Sequence, residues 1–341
     1  MEIIMPAAGL STRFPNMRPK YTLTDFSGSM MFEKALAPYI GKYPITIGML
    51  KEHNDQYNVS RYIKDKFGDQ IKVIILDQRT AGPADTVYQI LKKLNLADQD
   101  DFLIKDCDSF FDHSYQEGNY VCVSNIKNHE IIKRLSSKSF IITNNQGIIT
   151  SIIEKQVVSD KFCVGGYKFE CASMFIENYE RLIAEHVEEI FVSHIIEECL
   201  NQGHIFKESL VDNYHDVGTA EEWFEFNDKA VIFCDIDGTI VKAQPKHEYH
   251  LDPVPLENNI KKVKELAADG GKIIFTTARP KSYDERTLEL LQNLGFTNFE
   301  LISGLPNTKR ILINDYNEAN PYPRAIAVNI KRDQDTIGDY L

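Results

Sequence analysis

Short apolar runs alternate with longer amphipathic stretches along almost the whole chain, and this rhythm limits the fold more than any other feature. Segments 2–8, 44–50, 72–76, 101–105 and 120–125 predict strands. Segment 83–96 predicts a helix, because Pro83 suits a first turn and Val87, Ile90, Leu91 and Leu94 share one face. Segment 179–200 predicts one long helix that buries Leu182, Ile183, Val187, Ile190 and Ile195. Asn144-Asn145-Gln146-Gly147, between apolar 140–143 and 148–153, predicts a hairpin turn. The rhythm restarts near Ala230 with a buried strand at 231–234. A helix at 256–268 follows and stops at Gly270-Gly271. A strand at 272–275, a helix at 283–294 and a strand at 310–313 complete it. Strands alternating with helices predict parallel sheets covered on both faces. The expectation is an α/β chain of two Rossmann-like, three-layer α/β/α domains, 1–228 and 229–341.

Composition narrows the function classes. The 341 residues are 43% hydrophobic and 26% charged, enough for a full core in each domain. The formal charge of -12 (38 basic against 50 acidic residues) speaks against a general nucleic-acid or anionic-membrane binder. No apolar run approaches the roughly 20 residues of a spanning helix. The first residues carry no basic leader pattern. The six cysteines are scattered with no C-x-x-C pair, which fits reduced thiols. A cytoplasmic protein without nucleic-acid or membrane partners is expected, and a homo-oligomer stays open.

Two strand ends carry chemistry. After the first strand comes Ala7-Ala8-Gly9-Leu10-Ser11-Thr12-Arg13, and Pro19-Lys20 follows closely. A small-residue turn lets backbone N–H groups approach a phosphate chain, Arg13 can grip it bidentately, and Lys20 can act as a point charge. Further on stand Gln78-Arg79-Thr80-Ala81-Gly82-Pro83-Ala84, Asp106-Cys107-Asp108, Glu154-Lys155, Val164-Gly165-Gly166-Tyr167 and Asp216-Val217-Gly218-Thr219. In this order the segments resemble the GT-A-like nucleotidyltransferases of the sugar-phosphate and cytidylyl-transferring superfamily, over roughly residues 1–225. Ser11 stands where that pattern usually has a second glycine. The resemblance implies transfer of a nucleoside monophosphate to a phosphorylated acceptor with release of pyrophosphate. It implies nucleotide contacts from Ala8, Gly9, Ser11, Arg13, Lys20, Gln78 and Gly82. Glu154, Lys155 and Gly166 would serve the acceptor. Mg²⁺ would lie on Asp216 with Asp106 or Asp108, and the spacing of Arg13 and Pro19-Lys20 looks most like the CTP-using branch.

The second strand end is Asp235-Ile236-Asp237-Gly238-Thr239. It resembles the haloacid dehalogenase (HAD) superfamily, as do Thr276-Thr277-Ala278-Arg279-Pro280, Lys309 and Asn314-Asp315 in order. The closest likeness is to small capsule-biosynthesis-type phosphatases. The resemblance implies a nucleophilic Asp235, an acid–base Asp237, phosphoryl contacts from Thr277 and Lys309, and Mg²⁺ near Asp235, Asp237 and Asp315. Which of Thr276 and Thr277 faces the site stays open, because one step along a strand reverses the side chain. Thirty-nine residues separate Asp237 from Thr277 and thirty-one separate Thr277 from Lys309, which leaves no room for a cap domain.

The expected protein is therefore bifunctional. It would activate a phosphorylated sugar, polyol or amino-alcohol with an NTP, CTP being the expected one, and cleave a phosphomonoester of the same surface-polysaccharide precursor route. Two alternatives stand beside it. One is a GT-A glycosyltransferase using Asp106-Cys107-Asp108, against which the Arg13 and Lys20 pair argues. The other is a nucleotide- or sugar-phosphate-sensing domain that regulates the phosphatase.

Overall fold

The computed structural model describes residues 1–94, 96, 100–128, 135–185, 189–268, 270–314 and 325–341. The chain divides into two compact units, Met1–Asn227 and Asp228–Leu341.

The first unit is built on β1 (Glu2–Ala7), β2 (Ile45–Leu50), β3 (Ile71–Leu76), β4 (Phe102–Lys105), β5 (Ser109–Asp112), β6 (Asn119–Asn125), β7 (Phe140–Thr143), β8 (Ile149–Ile153), β9 (Lys161–Phe169), β10 (Phe206–Leu210) and β11 (Asp212–Asp216). Its main sheet runs β10-β6-β9-β4-β1-β2-β3. Strands β4, β1, β2 and β3 are parallel, whereas β9 runs antiparallel to β4 and β6. The sheet is thus mixed and not wholly parallel as the sequence rhythm suggested. The chain reaches β9 from the antiparallel β7–β8 hairpin, so its direction is reversed when it enters the sheet. Nearly every residue of β9 is buried, which suits a strand held between two others.

Helices cover both faces. Along β1, Ile3 and Met5 enter one core and Ile4 the other, as the two-residue period of a strand requires. The Ile3 face packs under α1 (Met31–Leu36) and α3 (Val59–Phe67), which follows α2 (Lys51–Tyr57). On the Ile4 face lie α4 (Pro83–Leu94), α5 (Ala172–Ala184) and α6 (Val192–Asn201). Helix α7 (Ala220–Phe226) closes the unit, with Thr219 Oγ1 accepting from Glu222 N as an N-cap.

One long helix at 179–200 does not form; α5 and α6 take its place. At 3.6 residues per turn, Leu182 and Ile195 would point about 140° apart on a straight helix. Two helices let both enter one core, and Leu182, Ile190 and Ile195 are all buried. Ile183 is 49% exposed, against expectation, and Val187 lies outside the described residues. The turn at 144–147 does form. Asn144 Oδ1 accepts from Gln146 N and Ile148 N at 2.9 and 3.1 Å, and Gly147 takes φ +73°.

The second unit has a three-stranded parallel sheet, β12 (Val231–Asp235), β13 (Lys272–Thr276) and β14 (Phe299–Ile302), in that spatial order. Helices α8 (Glu257–Ala268) and α9 (Asp284–Asn293) join Cys234, Ile273 and Phe275 in one core through Ile260, Val263 and Leu291. Three expectations are corrected here. Residues 310–313 form no strand, and Ile311 and Ile313 are 74% and 90% exposed. With no described strand beyond it, β12 is an edge, and Val231 and Phe233 are 55% and 51% exposed instead of buried. Among the described residues this unit has two layers, not three, because its helices share one core on one face.

A buried polar cluster in the first unit makes a testable statement. The hydroxyls of Tyr39 and Tyr120 and both ring nitrogens of His113 are buried without a hydrogen-bond partner among the described residues. Burial, then the charge of Lys105, pushes His113 down to about 4. Folded chains therefore hold it neutral where unfolded chains, with a pKa near 6.5, take up a proton. Stability must fall as pH drops from about 6.5 towards 4. His113→Leu is expected to flatten that decline in a series of thermal melts. Parallel profiles for parent and variant would remove His113 as its source.

Candidate active sites

Parallel β1, β2, β3 and β4 end on one edge of the main sheet, so the loops that follow them gather there. The loop with Ala8, Gly9, Ser11 and Arg13 leaves β1 beside Asp106 and Asp108, which leave β4. Exposed Gln78 and half-buried Gly82 follow β3, two strands or about 10 Å away. Ala8 is buried, whereas a Cβ added at Gly9 would meet nothing within 4 Å. Ser11 adopts φ +54°, the left-handed conformation that favours glycine. Its hydroxyl accepts from Lys20 N at 2.9 Å. That bond, worth roughly 1 kcal/mol, offsets much of the roughly 1–2 kcal/mol conformational cost.

Asp108 is the hub. Its Oδ2 lies 2.5 Å from Lys20 Nζ and 3.9 Å from Arg13 Nη2. The antiparallel pairing of β5 with β11 sets Asp216 opposite Ser109, and Val217 N donates to Asp108 O at 2.9 Å. A Cβ added at Gly218 would sit 3.1 Å from Asp108 Oδ2, 3.2 Å from Asp216 Oδ1 and 3.6 Å from Arg13 Nη1. Glycine there keeps open the small space on which both carboxylates and the guanidinium converge. Burial raises both Asp106 and Asp108, but their neighbours separate them. Asp106 is pushed up to about 6 by burial and the Asp108 charge. Asp108 ends well below the usual range because Lys20, Arg13 and Lys138 outweigh its burial. Under this edge, Lys105 is fully buried, donates to Asp106 O, Ser109 O and Ser109 Oγ at 2.8, 2.6 and 3.0 Å, and is pushed by burial down to about 8.

The β7–β8 hairpin supplies the other side. Glu154 Oε2 accepts from the hydroxyls of Ser139 and Ser193. Lys155 has φ +57°, its N donates to Lys138 O at 3.1 Å, and its Nζ lies 4.0 Å from the centre of the Phe191 ring. Lys138 forms an ion pair with Asp216 Oδ2 and donates to Tyr214 Oη at 2.9 Å. Gly166 sits inside β9, opposite Lys105, where a Cβ would come 2.7 Å from Cys122 Sγ. Close packing accounts for that glycine, and nothing in its surroundings marks it as an acceptor contact. Gly165, at φ +82°, gives Asp106 the same kind of room. Sequence reasoning missed Lys138, Tyr214, Ser139, Ser193 and Lys105.

In the second unit Asp235 ends β12, in register with Thr276 of β13. Thr277 is the threonine that meets the aspartates, being buried with Oγ1 3.4 Å from Asp237 Oδ2. Arg279, buried and missed from the sequence as a site residue, grips Asp237 bidentately at 2.7–3.2 Å. The Tyr249 ring lies 5.1 Å from its guanidinium carbon. Burial and the Asp237 charge raise Asp235, while Arg310 opposes them. Lys309 is exposed, and Asp315 lies outside the described residues.

Both sites suit a hard cation of modest protein ligation. Among the described residues no group of three or more His, Cys, Asp or Glu side chains is arranged to hold a metal. Mg²⁺ is commonly held by one or two carboxylates with substrate phosphates supplying further oxygens. Asp108 and Asp216 around the Gly218 space fit that demand, and Asp235 offers one such carboxylate in the second unit.

No protein-family model matches the chain, and no curated protein matches it. Solved structures do. The nucleoside-diphosphate-sugar pyrophosphorylase of Vibrio cholerae RC9 is similar over 67% of this chain and 100% of its own, with a TM-score of 0.58 at 21% identity. The inositol-1-phosphate CTP transferase of T. maritima covers 65% of this chain and 90% of its own, with a TM-score of 0.53 at 15% identity. No described helix is long and apolar enough to cross a membrane. At these identities the likeness is one of fold, and about two thirds of the chain shares the mixed α/β fold of these two structures.

Proposed function

We propose that residues 1–228 transfer a nucleoside monophosphate, with CTP the expected donor, to a phosphorylated sugar, polyol or amino-alcohol. Residues 229–341 would hydrolyse a phosphomonoester in the manner of a capless HAD-like phosphatase. The observation that carries the first half is the convergence of Asp108, Asp216 and Arg13 on the space kept open by Gly218, with Lys20 paired to Asp108. An oxygen of the acceptor phosphate attacks the α-phosphorus, the bond to the β-phosphate breaks, and pyrophosphate leaves. Two anions must meet, so the task is one of position and charge. Arg13 would steady the leaving pyrophosphate and Lys20 the α-phosphoryl group. Lys155 and the loop of Gln78 and Gly82 flank the acceptor and base ends. Mg²⁺, held by Asp108 and Asp216, would supply neutralisation of phosphate charge.

For the second half, Asp235 attacks phosphorus and the leaving oxygen takes a proton from Asp237. Asp237 then removes a proton from the water that cleaves the aspartyl-phosphate. In the free protein both Asp237 oxygens accept from Arg279, so proton delivery requires Asp237 to leave Arg279 and take up a proton from solvent. Mg²⁺ at Asp235 and the Asp237 carbonyl would neutralise the substrate charge.

The test is a screen of the four NTPs with Mg²⁺ and pooled phosphorylated sugars, polyols and amino-alcohols, run on Asp235→Asn to silence hydrolysis. Pyrophosphate release with CTP alone is expected. Silence with every donor and pool would overturn the transferase reading and favour a sensing domain.

A further inference from the structure

We infer that Lys138 is a second cation for the acceptor's phosphate, held in reserve on Asp216 until that carboxylate is taken by a divalent cation. The inference rests on the nucleotidyltransferase reading and deepens it. Lys138 bridges the two halves of the site. Its ammonium pairs with Asp216 and Tyr214, and its carbonyl fixes the backbone of Lys155. Ser139, the next residue, is tied through Glu154 to Ser193. The Lys138 side chain is 14% exposed, and its charge also pulls down the carboxyls of Asp106 and Asp108.

Asp216 Oδ1 faces the Gly218 space and Oδ2 holds the Lys138 ammonium, so a divalent cation in that space shares the carboxylate with Lys138. Its charge repels the ammonium and neutralises the carboxylate that holds it. An ammonium this buried is costly without an anion. Lys155, whose backbone Lys138 already holds, marks the direction in which a phosphate dianion would be met. Displacement of Lys138 thereby couples loading of the carboxylates to creation of an anion site. Tyr214 Oη accepts from Nζ and gives the side chain a second anchor during the exchange.

The test measures binding to the full chain, without turnover. Mn²⁺, Mn²⁺ with CTP, inorganic phosphate and inositol 1-phosphate are titrated against the parent, Lys138→Met and Lys138→Arg, with thermal melts to establish folding. Lys138→Met is expected to bind Mn²⁺ alone several-fold more tightly, because the competing ammonium is gone. In the presence of Mn²⁺ it should bind both phosphates about tenfold or more weakly, while its CTP affinity stays within about twofold. Lys138→Arg, which keeps the charge, should retain phosphate binding if it folds. Unchanged phosphate affinity in folded Lys138→Met would overturn the inference and leave a purely structural ion pair. A parallel loss of CTP would place Lys138 on the nucleotide and overturn it equally. A parent that binds no Mn²⁺ with CTP would remove the nucleotidyltransferase reading, and this inference with it.

Discussion

Asp108→Asn is expected to lower pyrophosphate release by about a thousandfold or more, while leaving NTP binding measurable. The expectation follows from the position of this carboxylate. It meets Lys20 at 2.5 Å and Arg13 at 3.9 Å, and faces Asp216 across the Gly218 space. Its cationic neighbours keep it ionised despite burial. Asparagine is nearly isosteric but cannot neutralise a cation. It also leaves the ammonium of Lys20 largely buried without its anion, so a stability loss of about 3 kcal/mol should accompany the catalytic one. Stopped-time pyrophosphate assays at saturating NTP, alongside thermal melts, separate the two effects. A folded Asp108→Asn protein retaining a tenth of parental turnover would show that Asp108 is structural only.

Asp235→Asn should abolish hydrolysis of phosphomonoesters and leave nucleotidyl transfer intact. The two aspartates of this site are unequal. Both oxygens of Asp237 are engaged by Arg279, with Thr277 close by, whereas Asp235 has a backbone hydrogen bond from Ile236 and a 3.4 Å contact from Thr239. Asp235 is thus the carboxylate left available to a phosphorus atom, and an amide cannot form the acyl phosphate. Release of p-nitrophenol from its phosphate is the measurement. A fall of about ten-thousandfold or to background is expected. Hydrolysis that survives Asp235→Asn but not Asp237→Asn would reverse the two roles.

The parts legible in the sequence are those fixed by local pattern. Strands β1–β4 and β6–β8, the Asn144–Gly147 turn and the residues that leave β1, β3, β4 and β12 follow from short-range periodicity and turn chemistry. Strands β5, β9, β10 and β11 were not read as strands, and the direction of β9 was not legible, because a buried run reads alike in either orientation. Neither was the split of 179–200, since helical periodicity does not say where a helix must break to keep one face inward. Long-range partners escaped for a different reason. Lys138 lies 78 residues from Asp216 in a serine-rich segment that looks like surface, and only the hairpin fold brings the two together. Arg279 stood in a motif that was noticed, yet its grip on Asp237, 42 residues earlier, depends on adjacent strands ending in register. Lys105 shows the opposite error, since a lysine closing a strand is ordinarily solvated and here is fully buried.

The open side of β12 bears on how the chain can be handled in the laboratory. Among the described residues no strand pairs with the outer side of β12, and with Val231 and Phe233 exposed it is a template for other strands. Residues 228–341 expressed alone would carry that template with nothing added to blunt it. Such a fragment should self-associate as its concentration rises, and its light scattering would grow before any loss of helix signal. A lysine at position 233 would be the simplest way to make the excised unit tractable.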